Sequence, residues 1–76
     1  MINIKLPPLA EGVDKASISY WFKQPGDPVK EGEELVELVT DKATFNMPSP
    51  ATGKIKELLA GEGDSVNVGQ TIAVVE

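Results

Sequence analysis

The length, the charge and the missing residue types of this chain limit what it can do alone. Its 76 residues form one small domain with a modest core, because a chain of this size buries only about 60% of its unfolded surface. It has no Cys and no His, which removes disulfides, the usual ligands of zinc, iron and copper, and Ser/His/Asp or Cys/His catalysis. We therefore expect no metal site, no catalytic residue and no enzyme activity in the domain by itself.

Charge and hydropathy narrow the choice of partners. Seven basic residues, all Lys, and twelve acidic ones give a net charge of −5, which is the wrong sign for binding phosphate backbones. No apolar run approaches the roughly 18 residues of a membrane span, and the N-terminus lacks the features of a secretory signal. We expect a soluble, monomeric domain that neither binds nucleic acid nor inserts into a membrane.

Seven Gly and six Pro residues divide the chain into short segments. Several segments have the length and the Val, Ile, Leu and aromatic content of β-strands, with Gly, Pro, Asp and Asn between them. In chain order, the predicted strands cover residues 2–6, 16–22, two stretches within 33–47, 54–59 and 71–75. A helix over 33–47, the longest stretch without Gly or Pro, would have no clear cap. The pattern is typical of an all-β domain.

The second half of the chain repeats the first. A shift of 37 places superposes the G-D-x-V-x-x-G motif of residues 26–32 on the same motif at residues 63–69. Neither half is large enough to bury a sheet face alone, so the two must pack together. We predict about eight short strands in a flattened sandwich or barrel of two four-stranded antiparallel sheets with quasi-two-fold symmetry.

The two halves differ in one loop. Leu6 and Ile18 lie 12 positions apart, whereas Met47 and Ile55, which we align with them, lie eight positions apart. The extra residues, within 9–15, predict a larger surface loop in the first half.

The junction between the halves reads T-D-K-A-T, and symmetry places Asp41 and Lys42 in a hairpin turn there. Only Lys42, among the seven Lys residues, lies at this junction, and we expect its amine to stand away from the body of the domain. A Schiff-base or general-base Lys is activated by desolvation or by a neighbouring cation, whereas Asp41 favours the charged amine. The position therefore suits attachment of a group by another enzyme better than catalysis.

Other candidate sites have simpler explanations. Asp27 and Asp64 could be a carboxylate pair, but their repeated Gly-Asp setting predicts turn residues that accept backbone hydrogen bonds. The acidic residues within 31–37 indicate a solvated face that could also help partner docking. Trp21 and Phe22 are adjacent and point to opposite faces of a strand, so we expect one in the core and the other partly exposed.

Taken together, these motifs resemble the lipoyl domain of the acyltransferase (E2) component of 2-oxo acid dehydrogenase complexes. The T-D-K-A-T turn lies between the two G-D-x-V-x-x-G motifs, and the matching segments include K-L-P-P-L-A-E-G-V, W-F-K-Q-P-G-D and M-P-S-P-A-T-G-K-I. The likeness covers essentially the whole chain and implies the barrel-sandwich hybrid of lipoyl and biotinyl carriers. One departure is Ala10, where such domains usually have Gly.

The resemblance implies a set of functional residues. Lys42 is implied to be N6-lipoyllysine, with lipoate attached covalently, and Asp41 and Ala43 to flank it where a lipoate ligase or lipoyl transferase recognises the turn. The surface loop is implied to be read by the thiamin diphosphate-dependent decarboxylase (E1). The implied loop residues are Leu9, Glu11, Gly12 and Val13.

The function implied is that of a carrier. A lipoyl-lysine swinging arm takes acyl groups from E1 to the E2 catalytic core, and the FAD-dependent dihydrolipoamide dehydrogenase (E3) reoxidises it. We favour a parent complex of the pyruvate or branched-chain type. The chain is expected to be one lipoyl domain over residues 1–76, excised from the N-terminal part of a longer E2, in a bacterial or archaeal cytoplasm or, if the parent is eukaryotic, the mitochondrial matrix.

Two alternatives remain open. A biotin carboxyl carrier domain has a similar fold, but such domains usually bracket the modified Lys with Met, and here the nearest Met is Met47. An unmodified adaptor sandwich would use Lys42 only as a turn residue. The mass of the chain after exposure to a lipoate ligase separates these readings.

Overall fold

The computed structural model describes residues 1–76, and all its regular elements are β-strands. One sheet has the strand order β1-β8-β6-β3 and the other β5-β4-β2-β7, with antiparallel neighbours throughout. The predicted all-β fold with two four-stranded sheets is confirmed. The structure contains no helix that could span a membrane. The strands are β1 (Ile2–Lys5), β2 (Lys15–Trp21), β3 (Pro28–Val29), β4 (Glu34–Val39), β5 (Thr44–Pro48), β6 (Gly53–Leu58), β7 (Ser65–Asn67) and β8 (Thr71–Val75).

The two sheets are related by an approximate two-fold axis. Exchanging β1 with β5, β2 with β6, β3 with β7 and β4 with β8 converts the strand order of one sheet into that of the other. The hydrogen bonds repeat in the same way. The Gly26 N–H donates to the Ile55 carbonyl at 2.8 Å, and the Gly63 N–H donates to the Ile18 carbonyl at 2.7 Å. Each half thus places its turn against a strand of the other half, which explains why they fold together.

The repeated Gly-Asp motif forms the same turn in both halves. Gly26 and Gly63 have φ angles of 95° and 92°, in the left-handed region that favours Gly. The carboxylates of Asp27 and Asp64 each accept a hydrogen bond from the backbone N–H three residues earlier, at 2.9 and 2.8 Å. Both Asp residues therefore shape turns, as the sequence predicts.

The core lies between the inner faces of the two sheets. In β2, Ala16 and Ile18 are buried while Ser17 faces solvent, as strand alternation requires. Trp21 is 3% exposed and Phe22 is 38% exposed, which confirms the expectation for this adjacent pair. The buried cluster consists of Ile4, Leu6, Ala16, Ile18, Trp21, Val29, Leu35, Val36, Leu38, Met47, Ile55, Ala60, Val66, Ile72, Ala73 and Val75.

The turn between the halves and the chain termini lie at opposite ends of a body that measures 31 × 20 × 17 Å. The turn after β4 lies beside the start of β2, where Ser17 pairs with Val39. By symmetry, the end of β8 lies beside the start of β6. The far ends of β2 and β6 meet across the sandwich, where the Trp21 indole N–H donates to the Ala60 carbonyl at 2.9 Å. A group attached at the turn is therefore remote from Glu76.

The loop between β1 and β2 is the longer one, as predicted, but its alignment with the second half needs correction. The Leu6 N–H donates to the Gln70 carbonyl, and the equivalent bond in the other half is donated by the Ser49 N–H to the Glu33 carbonyl. The structural counterpart of Leu6 is therefore Ser49 rather than Met47, and the insertion is larger than the sequence alignment implies. The alignment failed because it matched apolar side chains, whereas the equivalence lies in the backbone.

Candidate functional site

The hairpin between β4 and β5 places four residues at the junction of the two halves. Val39 pairs with Thr44 as the last ladder position, and the Thr40 N–H donates to the Ala43 carbonyl at 2.9 Å across the turn. Asp41 and Lys42 lie at its tip and both are exposed. The predicted turn position of these two residues is confirmed.

The hydroxyl of Thr40 organises this turn. Its Oγ1 accepts hydrogen bonds from the backbone N–H groups of Lys42 at 3.2 Å and Ala43 at 3.0 Å, and the hydroxyl lies 2.9 Å from the Ala43 carbonyl, to which it donates. These bonds satisfy N–H groups that the ladder cannot reach and so fix the direction of the Lys42 backbone. Sequence reasoning missed Thr40, although a hydroxyl residue at the start of a short turn is a recognisable signal.

The side chain of Lys42 lies against the loop between β1 and β2. Its Nζ donates a hydrogen bond to the backbone carbonyl of Glu11 at 3.0 Å, although the side chain is exposed. The expectation that the amine stands away from the body of the domain is therefore wrong. The reason is a contact between residues 31 positions apart, which the pattern of neighbouring residues does not encode.

The loop presents its backbone to Lys42 through a tight turn. The Val13 N–H donates to the Ala10 carbonyl at 3.1 Å, and Gly12 has a φ of 80°. Leu9 is half-buried against the core and Val13 is buried, so these two residues anchor the loop. Glu11 and Gly12 are exposed between the anchors.

The structure thus divides the residues singled out from the sequence into two groups. Asp41 and Ala43 flank Lys42 in the turn, and Glu11 and Gly12 lie beside its amine. Leu9 packs against the core, and Val13 is 9% exposed where it lines the groove beside the turn, so both side chains leave little surface for a partner to touch.

The surroundings of Lys42 favour modification over catalysis. Lys42 is exposed, so burial does not activate its amine as it would in a catalytic Lys. The one ion pair in the chain joins Lys23 to Glu33, so Asp41 does not pair with the Lys42 amine, and the expectation drawn from Asp41 in the sequence does not hold. A shallow groove of about 310 Å³ runs beside the turn and is lined in part by Gly12, Val39 and Asp41. No three His, Cys, Asp or Glu side chains are close enough together to hold a metal ion. An exposed amine on a fixed turn is what an external acylating enzyme requires.

Comparison with known sequences identifies the family of the chain and several relatives. The model of the biotin/lipoyl family, described as "Biotin-requiring enzyme", matches residues 2–75. The dihydrolipoyllysine-residue succinyltransferase component of the 2-oxoglutarate dehydrogenase complex of Staphylococcus saprophyticus is 51% identical over 99% of this chain, which spans 18% of that protein. The dihydrolipoyllysine-residue acetyltransferase component of the pyruvate dehydrogenase complex of Corynebacterium glutamicum is 44% identical over 93% of this chain, which spans 10% of that protein.

A solved structure gives the same result for the fold. The lipoyl domain of the 2-oxoglutarate dehydrogenase complex from Azotobacter vinelandii, determined in solution, is similar to this chain with a TM-score of 0.78 and 33% identity. The match covers 100% of this chain and 96% of that domain. The two molecules therefore share the whole sandwich.

Proposed function

Because this chain belongs to the biotin/lipoyl family, we propose that it is the lipoyl carrier domain of the acyltransferase (E2) of a 2-oxo acid dehydrogenase complex. In this proposal, Lys42 carries lipoate as an amide of its Nζ atom. The domain's own side chains neither make nor break bonds in the substrate.

The position of Lys42 is the observation that carries the proposal. It is an exposed Lys in a four-residue turn where two equivalent halves of a rigid sandwich meet. A carboxylic acid joined to this amine extends from the surface without disturbing the core. The relatives named as dihydrolipoyllysine-residue transferases support lipoate as the acid.

The residues around Lys42 fit an amide-linked chain. An amide nitrogen keeps one hydrogen, which is enough for the bond to the Glu11 carbonyl. Gly12 has no side chain that would occupy the space beside Nζ. The lipoyl group, when bound, supplies a disulfide that accepts an acyl group together with two electrons. Thr40 and the loop hold its attachment point, and loss of the amine charge makes the net charge of −5 one unit more negative.

The proposed partners follow from this carrier role. They are a lipoate ligase or lipoyl transferase that modifies Lys42, the thiamin diphosphate-dependent E1, the E2 catalytic core and the FAD-dependent E3. A tethered carrier meets each active site at a high effective concentration, which a freely diffusing lipoamide would not. We place the parent complex in a bacterial or archaeal cytoplasm, or in the mitochondrial matrix if the parent is eukaryotic.

The relatives change our preference for the 2-oxo acid. From the sequence we favoured a pyruvate or branched-chain complex. The succinyltransferase relative is 51% identical and the acetyltransferase relative 44% identical, and the similar solved domain comes from a 2-oxoglutarate complex. We therefore propose 2-oxoglutarate first and pyruvate second. Rates of reductive acylation by purified E1 enzymes of the three types decide between them, and the highest kcat/KM identifies the parent.

Co-expression of the chain with a lipoate ligase, and separately with a biotin protein ligase, tests the proposed cofactor. We expect the intact mass to increase by one lipoyl group in the first case and to stay unchanged in the second. Asp41 and Ala43, rather than Met, flank the Lys and argue against biotin. A biotinyl adduct would favour the alternative carrier, and the absence of both adducts would favour an adaptor.

A further inference from the structure

The loop between β1 and β2 lies close to the Lys42 amine at Gly12. A Cβ atom added at Gly12 would lie 3.1 Å from Lys42 Nζ, which is closer than ordinary carbon–nitrogen contact. No other heavy atom outside residues 11–13 lies within 4 Å of that position. Lys42 Nζ also donates to the Glu11 carbonyl at 3.0 Å, so the end of the Lys42 side chain lies against the backbone of Glu11 and Gly12.

The left-handed conformation of Gly12 does not by itself explain this close approach. Gly26, Gly32, Gly63 and Gly69 also have positive φ angles, of 89° to 95°, but nothing lies within 4 Å of a Cβ added at any of them. Gly12 is therefore the one positive-φ Gly at which an added Cβ would also displace a side chain of another segment. Asn adopts such angles more easily than most residues, so it satisfies the backbone requirement alone.

We propose that Gly12 and the Glu11 carbonyl are positioning elements for the modified side chain. They hold its amide N–H on the loop and so restrict the motion of the Lys42 side chain at Nζ, where the arm begins. This inference rests on the proposed function for the modified state. The amide that replaces the amine retains the single hydrogen that the Glu11 carbonyl accepts. The arm then leaves the turn over Gly12, at the edge of the groove that Val39 also lines, rather than in all directions from the tip.

The unmodified chain provides a first test that needs no cofactor. NMR relaxation of the Cε groups of uniformly labelled Lys residues reports how far each side-chain end moves on the picosecond-to-nanosecond timescale. We expect the Cε order parameter of Lys42 to be at least twice that of Lys5, whose Nζ makes no hydrogen bond within the chain. Equal order parameters for the two residues would overturn the inference without bearing on lipoylation.

The lipoylated chain provides the second test, with matched variants. After labelling Lys with ¹⁵N, only the modified side chain gives an Nζ amide signal. The heteronuclear NOE of that signal reports the mobility of the Lys42 side chain at Nζ. We expect a positive NOE in the native chain and in Gly32→Asn, and a decrease of at least half in Gly12→Asn, where the Cβ displaces the side chain. An NOE that is already low in the native chain, or one that Gly12→Asn leaves unchanged, would contradict the inference. Absence of the amide signal from all three proteins would instead contradict the proposed function, and the inference would then be decided by the unmodified chain.

Discussion

The hydroxyl of Thr40 gives the lysine turn its shape. It accepts two backbone N–H groups and donates to a carbonyl within a loop of four residues, where the ladder itself supplies one hydrogen bond. Because Lys42 is exposed and makes no core contact, its direction depends on these polar bonds rather than on packing. A substitution that removes the Thr40 hydroxyl but keeps the side-chain volume therefore tests whether these hydrogen bonds shape the turn.

Thr40→Val removes the hydroxyl and keeps the branched shape. We expect the free energy of unfolding to fall by about 1 kcal/mol, the usual net worth of such hydrogen bonds, and lipoylation to slow because the turn loses its fixed geometry. Thr44→Val is the matched control, since the Thr44 hydroxyl is exposed and makes no hydrogen bond. Urea unfolding and the rate of mass increase with a lipoate ligase measure both effects; equal effects in the two variants would exclude a special role for Thr40.

Glu33 provides a pH-dependent contribution to stability. The Lys30 backbone N–H, which donates to Glu33 Oε1, and the Lys23 ammonium 3.2 Å from the same oxygen hold the pKa of Glu33 below its usual value of 4.5. A lowered pKa in the folded state stabilises the fold above the unfolded-state pKa, and this contribution is lost as the pH falls through the folded-state value.

Glu33→Gln tests this contribution, because Gln70 makes the equivalent bond in the other half, accepting from the Asn67 N–H at 3.1 Å. We expect the native chain to be slightly more stable than the variant at pH 7, and the difference to shrink as the pH falls below 4.5 and to vanish below the folded-state pKa of Glu33. The effect is small and decreases with added salt, because the carboxylate is exposed. Urea midpoints across this pH range measure it. A difference that grows on acidification would have the wrong sign for this account.

At the residue scale, the sequence predicts which residues lie in turns better than it predicts where their side chains point. The turn position of Lys42 and the roles of Asp27 and Asp64 follow from spacing and repetition, and the structure has them as expected. The contact of the Lys42 amine with Glu11 was not predictable, because it depends on side-chain torsions and on the path of a loop far away in the sequence.

At the scale of elements, Gly53 of β6 lies closely against the end of β8. A Cβ added at Gly53 would lie 2.5 Å from the Glu76 carbonyl oxygen and 2.7 Å from Val75 Cγ1. Lys54 and Glu76 exchange two backbone hydrogen bonds beside it, at 3.0 and 2.9 Å. The end of β8 can pack there only because residue 53 has no side chain.

Gly53→Ala should therefore push the end of β8 away from β6. We expect a loss of about 1–3 kcal/mol in the free energy of unfolding, as for other overpacked sites. Gly61→Ala is the control, because a Cβ there meets only the Asp64 carboxylate at 3.8 Å, an ordinary contact. Chemical denaturation of both variants gives the comparison, and a Gly53→Ala protein as stable as Gly61→Ala would show that the close approach is not required.

Four of the eight strands were predicted to within one residue, and no bounds were predicted for the short strands β3 and β7. The ranges 2–6, 16–22, 54–59 and 71–75 correspond to β1, β2, β6 and β8, and 33–47 contains β4 and all of β5 except Pro48. Gly and Pro end these segments, and β-branched residues fill them, so composition alone nearly fixes the bounds. The bulges, such as that between Ile18 and Tyr20, were not predictable, because they depend on which residues the neighbouring strand places opposite.

At the scale of the whole molecule, the repeat makes two similar halves into one folding unit. Each Gly-Asp turn donates a hydrogen bond to a strand of the other half, and Trp21 connects the far ends of β2 and β6. The repetition was visible in the sequence and predicted the two-sheet arrangement. The placement of the lysine turn and the chain termini at opposite ends was not predictable without the strand order.

Trp21→Phe tests the connection between the sheets. The variant keeps an aromatic ring in the core but leaves the Ala60 carbonyl without its indole donor, so we expect a loss of about 1–3 kcal/mol. Phe22→Leu, at the exposed neighbour, should cost less. Thermal unfolding followed by circular dichroism measures both variants, and a smaller loss for Trp21→Phe than for Phe22→Leu would contradict the assignment.

The central claim is that the whole sandwich serves to present one amine for modification. The measurement that tests it most directly is the intact mass of the native chain and of Lys42→Arg after incubation with a lipoate ligase, lipoate and ATP, followed by reductive acylation with E1. We expect one lipoyl group and then one acyl group on the native chain, and neither on the variant, whose circular dichroism spectrum and unfolding midpoint should match those of the native chain. A lipoyl or acyl adduct on the folded Lys42→Arg protein would contradict the account.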